Sequence, residues 1–176
     1  MKILITGHTS GLGKEIHDHL SNLGHEVIGM SRSTGHELPD AISEVIAVAK
    51  TCDIFFNNVH CGTAQATLIE ALYDSTSVIT SSSIVGDYAW VQNHPHVPQP
   101  YARDKNLIER AHKKAKKITQ RPMLLLKMGH LENGKGSSTI PYQHILDAID
   151  LWMIAPRVSA IELDNINYSE LNTGVH

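Results

Sequence analysis

A tyrosine and a lysine one helical turn apart are the residues of this sequence best suited to acid–base chemistry. Tyr101 and Lys105 are the two ends of the segment YARDK. Residues at i and i+4 share a helix face, so the ammonium can lie near the phenol and lower its pKa by favouring the phenolate. The same spacing also occurs on solvated helix faces. Ser83 favours the chemical interpretation, because it lies at the end of a predicted strand, where ligands of open α/β sheets bind.

A glycine-rich turn near the amino terminus predicts a dinucleotide site. The segment TGHTSGLG, residues 6–13, lies between an apolar strand-like run and an amphipathic helix. Glycines there allow a tight turn and a close approach to a pyrophosphate, whose charge is favoured by free N–H groups and by the helix dipole. The alternative is an ordinary glycine-containing turn, and the flanking strand and helix favour the dinucleotide.

The choice of nucleotide depends on the end of the second predicted strand. Ser31, Arg32 and Ser33 lie where NAD sites usually carry an aspartate or a glutamate for the ribose hydroxyls. A guanidinium and two hydroxyls suit a 2′-phosphate instead. We therefore predict NADP(H) in preference to NAD(H). The alternative is an exposed loop arginine without this role.

Five segments taken together resemble the motifs of the short-chain dehydrogenase/reductase family, over nearly the whole chain. TGHTSGLG is similar to the TGxxxGxG cofactor motif, and NNVHCG, residues 57–62, resembles the NNAG segment. SSSIVG, residues 81–86, resembles the catalytic-serine segment, and YARDK fits YxxxK. KMGHL, residues 127–131, occupies the place of the PG segment. The order of the five segments makes the sequence similar to a compact member of that family.

The resemblance implies hydride transfer between a nicotinamide and a small-molecule carbonyl or alcohol. By similarity, Tyr101 is the general acid/base, Ser83 hydrogen-bonds the reacting oxygen, and Lys105 binds the nicotinamide ribose and lowers the tyrosine pKa. Asn57 would contact the adenosine half. The residues implied to contact the cofactor are Gly7, Thr9, Ser10, Gly11, Leu12, Gly13, Ser31, Arg32, Ser33, Asn57, Asn58, Val59, Tyr101, Lys105, Met128, Gly129 and Leu131.

Several departures from the family pattern bear on turnover. Residues 63–80 contain no asparagine, so the asparagine of the family's catalytic tetrad has no counterpart. Met128 replaces the proline of the PG segment, Glu37 is the nearest acidic residue for the adenine side, and the lid shrinks to residues 132–141. A non-catalytic NADP-binding regulator or scaffold therefore stands as the alternative to an enzyme.

Other polar features have less specific interpretations. His17 and His19 face apart on a helix, and His94 and His96 lack a third ligand of fixed spacing, so no metal site is predicted. Residues 103–121 carry eight of the 15 basic residues without interleaved aromatic residues, which favours a solvated helix or a subunit contact over nucleic-acid binding. His60 and His130 are expected to line the cofactor cleft. Tyr88 and Trp90 either line a substrate pocket or cover the edge of the core.

Alternating apolar strands and amphipathic helices are expected to position these side chains. The pattern predicts an α/β fold, a single doubly wound Rossmann-type domain with a mostly parallel sheet of six to seven strands. Between residues 31 and 53 there is room for one helix only, so a strand near His36 to Leu38 is predicted to be short or absent. Predicted strands cover residues 2–6, 26–31, 53–59, 77–82, 123–128 and 158–163, and predicted helices follow the glycine turn and cover 41–50, 63–73, 101–118 and 142–155.

Composition limits the size and the setting of the protein. The chain has 176 residues, 41% hydrophobic, with a formal charge of −3, which predicts one nucleotide-binding domain over residues 1–163 and a polar tail over 164–176. We expect no membrane span and no signal peptide, which implies a cytoplasmic location. Cys52 and Cys61 are expected to be reduced thiols. Relatives commonly pair through the helices that correspond to residues 63–73 and 101–118, which implies a homodimer or a homotetramer.

Overall fold

Short runs of β-branched, aromatic and aliphatic residues form a six-stranded sheet. The computed structural model describes residues 1–86, 99–129, 131 and 139–163. The strands are β1 (Lys2–Thr6), β2 (Glu26–Met30), β3 (Ile54–Asn57), β4 (Ser77–Ser83), β5 (Met123–Met128) and β6 (Ala160–Leu163). Their order in the sheet is β2-β1-β3-β4-β5-β6, and every neighbouring pair is parallel. This confirms the predicted fold class.

Helices cover both faces of the sheet, as apolar strands on both sides require. They are α1 (Gly11–Asn22), α2 (Ile42–Ala49), α3 (Ala64–Leu72), α4 (Gln99–Lys116) and α5 (Tyr142–Ile154), with 3₁₀ turns at Arg32–Thr34 and Ile84–Gly86. One core contains α2, α3 and α4, whose Val45, Leu68 and Ile108 pack with Phe55 of the sheet. The other core contains α1 and α5, whose Ile16 and Ile149 pack with Phe56. The adjacent residues Phe55 and Phe56 thus serve opposite faces of one strand.

The third strand is shorter than its apolar sequence predicts. The sequence predicts a strand over residues 53–59, whereas β3 ends at Asn57. The backbone N–H of Asn58 donates to the side-chain Oγ1 of Thr6 at 3.0 Å, and that of Val59 points to the same oxygen at 3.5 Å. A hydroxyl at the end of β1 therefore takes up donors that a longer strand would use in the sheet ladder.

The segment after β2 forms no strand. Within residues 31–41, all of which the structure describes, a 3₁₀ turn is followed by irregular turns. The backbone N–H groups of Gly35 and His36 are bonded locally, to Arg32 and Ser31. The strand predicted to be short or absent is therefore absent, and β2 forms one edge of the six-stranded sheet.

Two large apolar side chains at helix ends lie mostly in solvent. Leu23 is exposed because it follows the last residue of α1, and Gly24 has a φ of 81° that turns the chain away from the helix. Ile118 is 61% exposed because α4 ends at Lys116. The buried face of α4 instead includes Ile108 and three polar residues, Lys105, Glu109 and His112.

Two further observations concern the setting of the chain. No helix in the described residues combines the length and the apolar character needed to cross a membrane. Cys52 and Cys61 are both free thiols, and the Cys61 Sγ donates to the carbonyl of Leu38 at 3.1 Å.

Ile108, within α4, and Ile118, just beyond its last residue, give a matched test of how this helix is oriented. Ile108→Ala should lower the free energy of unfolding by about 2–5 kcal/mol, because it leaves a cavity in a fully buried core. Ile118→Ala should change it by less than about 0.5 kcal/mol, because that side chain is mostly in solvent. Urea unfolding of the two variants and the native protein measures both values, and equal losses would contradict this packing.

Candidate functional site

The carboxyl ends of β1, β2 and β3 enclose a cleft of about 370 Å³. The chain leaves β1 toward β2 on one side, while β3 pairs on the other, so the cleft lies where the strand order reverses. Open α/β sheets bind their ligands at such a point. The residues that line it are Thr6, Gly7, Thr9, Ser10, Met30, Ser31, Arg32, Ser33, His36, Glu37, Leu38, Val59, His60 and Cys61.

The glycine turn brings the start of α1 close to the end of β1. Gly7 has a φ of 74°, and a Cβ built on it would lie 2.5 Å from the Val59 side chain. A Cβ on Gly13 would lie 2.1 Å from the Gly7 carbonyl oxygen. Both positions require glycine, one for the turn and one for the contact between helix and strand. The free N–H groups at the start of α1 lie beside Thr9 and Ser10, which face the cleft.

Hydroxyl groups cluster at the outer wall of the cleft. The Ser31 Oγ lies 3.0 Å from the Ser33 Oγ, which donates to the Thr9 Oγ1 at 3.3 Å. Arg32 extends beside them with 83% of its side chain exposed, and its Nη1 lies 4.0 Å from the Glu37 carboxylate. The wall therefore offers hydroxyl donors and a guanidinium that is free to turn toward an anion.

The predicted asparagine pair divides between two environments. Asn57 is completely buried, and its Nδ2 donates to the Gln65 backbone carbonyl at 2.8 Å, which ties the end of β3 to α3. The cofactor contact that the resemblance implies for Asn57 stays a prediction. Asn58 is half-buried, and its Oδ1 accepts a hydrogen bond from the Ser81 Oγ at 2.8 Å.

Tyr101 and Lys105 lie together, as their spacing predicts. The Lys105 Nζ is 5.5 Å from the centroid of the Tyr101 ring, and it donates to the Gln65 Oε1 at 3.2 Å. Lys105 is only 4% exposed. Burial lowers the pKa of its ammonium to about 8, and the neighbouring Asp104 carboxylate opposes that change. The amine is therefore mainly protonated at neutral pH, and it lies beside the phenol ring of Tyr101.

His60 connects the cleft to this pair. Its ring meets the Tyr101 ring edge-on at 4.9 Å between centroids, and its Nε2 lies 3.4 Å from the Asp104 carboxylate. Burial first, and then the charge of Lys105, lower the His60 pKa. His60 is therefore mainly neutral near pH 7. Its place in the cleft lining agrees with the sequence expectation, whereas no sequence motif indicated Asp104 as its partner.

Ser83 is the last residue of β4, paired in register with Met128. The 3₁₀ turn that follows brings Ile84 and Val85 against Tyr101 and Ala102. The backbone N–H of Val85 points to the Ser83 Oγ at 3.4 Å. Ser83 thus ends its strand at the carboxyl end of the sheet, where the 3₁₀ turn that follows it packs against Tyr101.

The predicted residues after β5 lie at this edge but outside the cleft lining. Met128 is buried, Gly129 donates its backbone N–H to Leu163 at 2.9 Å, and Leu131 forms an isolated bridge with Ile140. Gly11, Leu12 and Gly13 likewise belong to the first turn of α1, where Leu12 and Gly13 are buried. They shape the turn rather than line the cleft.

Comparison with known proteins gives the fold. An alcohol dehydrogenase of Comamonas testosteroni, described as specific for bulky-bulky ketones, matches with a TM-score of 0.71 at 13% identity, over 92% of this chain and 86% of that one. A short-chain dehydrogenase of Sphingobium yanoikuyae in complex with NADPH matches with 0.70 at 11% identity, over 92% and 87%. The chain has the fold of the short-chain dehydrogenases.

A third solved structure extends the similarity to the full length. The 3-alpha-hydroxysteroid dehydrogenase of Pseudomonas sp. B-0831, complexed with NADH, matches with a TM-score of 0.63 at 15% identity, over 100% of both chains. No family model and no curated protein matches this sequence. The short-chain dehydrogenase fold is therefore visible in the backbone, whereas little of the sequence is shared.

Within this short-chain dehydrogenase fold, Gln65 is a site residue that the motifs do not indicate. It is completely buried on α3, on the face that also carries Leu68, Ile69 and Leu72. A polar residue at helical spacing among apolar residues is a signal in the sequence, because a buried amide needs hydrogen-bond partners. That signal predicts a polar contact without naming Lys105 as the partner.

Several predicted residues lie outside the described part of the chain. They are Tyr88, Trp90, His94, His96, His130, most of the lid segment and the tail 164–176. Among the described residues, no group of three or more histidine, cysteine and acidic side chains lies close enough to hold a metal ion.

The buried Lys105 ammonium predicts a pH dependence of stability. Its pKa is about 8 in the folded protein and near 10.5 in the unfolded chain, so the unfolded chain binds more protons between these values. Stability contributed by this group therefore rises with pH through that window, and the penalty of burial is fully present below it. Relative to Lys105→Met, the native free energy of unfolding should rise by about 3 kcal/mol from pH 8 to pH 10.5.

Urea unfolding across this pH range measures the difference. The control is Lys50→Met, which removes an exposed lysine and should follow the native curve. If the Lys105→Met curve also runs parallel to the native one, the folded-state pKa of Lys105 is not lowered.

Proposed function

We propose that this protein is an NADP(H)-dependent oxidoreductase that reduces a small-molecule carbonyl or oxidises the corresponding alcohol. The observation that carries the proposal is the buried Lys105 ammonium beside Tyr101, at the same sheet edge as the cleft. A charged lysine buried next to a phenol in a cleft is typical of acid–base sites. The solved structures with this fold include dehydrogenases crystallised with NADH and with NADPH, which supports a nicotinamide cofactor.

The cleft fits the adenosine and pyrophosphate parts of such a cofactor. Gly7 and Gly13 let the turn after β1 bring the start of α1 against the strand, and the start of α1 offers free N–H groups to a pyrophosphate. Thr9, Ser31, Ser33 and Arg32 supply the donors that a 2′-phosphate requires, which favours NADP(H) over NAD(H). When bound, the reduced nicotinamide supplies the hydride for the carbonyl carbon.

The chain's own residues would manage the proton and the substrate oxygen. Tyr101 donates its phenolic proton to the carbonyl oxygen during reduction, and it accepts that proton from the alcohol in the reverse direction. Ser83 donates a hydrogen bond to the same oxygen. The nearby Lys105 ammonium stabilises the phenolate that Tyr101 becomes, and neutral His60 packs against the ring without adding a second positive charge.

Removing one hydroxyl group tests this mechanism. Tyr101→Phe should lower the rate of carbonyl reduction by about 10²-fold or more, since it removes the general acid and keeps the ring. NADPH affinity should change little. The control Tyr73→Phe removes the hydroxyl of a tyrosine just after α3, outside the cleft lining, and should keep native activity. NADPH oxidation with a panel of aldehydes and ketones measures the rates, and calorimetry measures binding.

The same panel separates the two functional classes. Turnover that survives in Tyr101→Phe would overturn the assigned chemistry. Tight NADPH binding by the native protein, with no turnover of any carbonyl and with a ligand-dependent protein partner, would favour the regulator or scaffold instead.

Cofactor selectivity is tested at the outer wall of the cleft. Arg32→Ala should weaken NADPH binding by about 10-fold or more while leaving NADH nearly unchanged, because only NADPH carries the 2′-phosphate. Arg157→Ala is the control, because Arg157 is exposed and precedes β6, at the opposite edge of the sheet. Equal losses of both nucleotides in Arg32→Ala would refute the 2′-phosphate role.

Three further expectations stay predictions. The exposed face shared by α3 and α4 includes Thr67, Glu70, Arg110 and Lys114, and it is the face on which the resemblance implies pairing of subunits. The boundary of the nucleotide-binding domain at residue 163 and the cytoplasmic location complete the set.

A further inference from the structure

A single glutamine side chain joins three parts of the site. Gln65 lies in the first turn of α3 and is 0% exposed, with apolar residues on the rest of that helix face. Burying a primary amide without hydrogen bonds is unfavourable, so the contacts of Gln65 indicate why it is there. Each polar atom of the Gln65 side chain has a partner among the described residues.

The partners determine which way the amide points. Its Nε2 donates to the backbone carbonyl of Asn57 at 2.9 Å and to that of Ser81 at 3.1 Å. Carbonyl oxygens only accept, and the Lys105 ammonium only donates. Turning the amide over would bring its oxygen against two carbonyls and its NH₂ against the ammonium. The oxygen must therefore face Lys105, which donates to it at 3.2 Å.

The backbone of Gln65 is held as well. The Asn57 Nδ2 donates to the Gln65 carbonyl at 2.8 Å, so the two residues exchange side-chain to backbone hydrogen bonds. The amide is thus anchored to the ends of β3 and β4 before it reaches Lys105. An acceptor on a rigid support restricts a long lysine side chain that could otherwise take many rotamers.

We propose that Gln65 is a positioning residue: its amide bridges the carboxyl ends of β3 and β4 and fixes the Lys105 ammonium beside Tyr101. The effect on catalysis rests on the proposed function, whereas the effect on Lys105 itself does not. Among the described residues, the titratable groups near Lys105 include Asp104, Tyr101 and Glu109 on α4, and His60 from the loop after β3.

Two substitutions with opposite electrostatic effects test the proposal. Gln65→Met keeps the length and removes the acceptor, so the pKa of Lys105 should fall by about one pH unit. Gln65→Glu places a carboxylate oxygen where the amide oxygen faces the ammonium, so that pKa should rise by about one pH unit. The variant also loses the two hydrogen bonds to the Asn57 and Ser81 carbonyls, so its stability should fall. The measurement is an NMR titration of ¹³C-lysine-labelled protein, with the Lys105 signal assigned by its loss in Lys105→Met.

A merely structural role would give a different result. Loss of packing alone would lower stability in both variants and would leave the Lys105 pKa within about 0.3 pH unit of the native value, and this outcome overturns the proposal. Gln143→Met is the control, because Gln143 is exposed on α5 and bonds only its helix neighbour Asp147 among the described residues. If Gln65→Met does not fold, Gln65→Glu decides the question alone, and an unchanged pKa there refutes the proposal.

Activity provides a second and separable readout. If the native protein reduces a carbonyl, the pH dependence of kcat should move to lower pH in Gln65→Met and to higher pH in Gln65→Glu, with smaller changes in KM. If no carbonyl is turned over, the NMR titration still tests Gln65, so failure of the proposed function and failure of this inference are distinguishable.

Discussion

The site is built around the burial of one ammonium group at the carboxyl end of the sheet. A lysine that is 4% exposed is tolerated only with an acceptor and a nearby charge. Gln65 supplies the acceptor and Asp104 supplies the charge. Gln65 is in turn satisfied by the carbonyls of Asn57 and Ser81. The hydrogen bonds that stabilise this one charge on α4 therefore involve the ends of two central strands and the start of α3.

The two halves of the site use different physical means. The cleft around Gly7 and Arg32 relies on backbone N–H groups, on hydroxyls that hydrogen-bond one another and on an exposed guanidinium. The Lys105 half is fixed by side-chain hydrogen bonds in a buried setting. His60 lies between them, in the cleft lining and against the Tyr101 ring. The proposed cofactor binding and the proposed proton transfer can thus respond separately to substitution.

Most of the fold could be predicted from hydrophobic periodicity, because apolar runs and helical stripes reflect burial directly. It failed at element ends: β3 stops at Asn57 because the Thr6 hydroxyl takes the next donors, and Ile118 lies beyond the end of α4. Local motifs indicated Tyr101, Lys105 and the glycine turn, whose chemistry depends on neighbours in sequence. The contacts Gln65–Lys105 and Asp104–His60 join residues far apart in the chain, and Asn57 turns its side chain inward toward α3. Spacing in the sequence does not contain that information.

The missing strand after β2 also affects how a nucleotide would be held. β2 pairs with β1 on one side only, and residues 32–37 beyond it are held mainly by turn hydrogen bonds within the segment. The outer wall of the cleft is therefore a turn and not a paired strand. Because turns tolerate changes of sequence and length better than strands do, this wall can vary without disturbing the sheet.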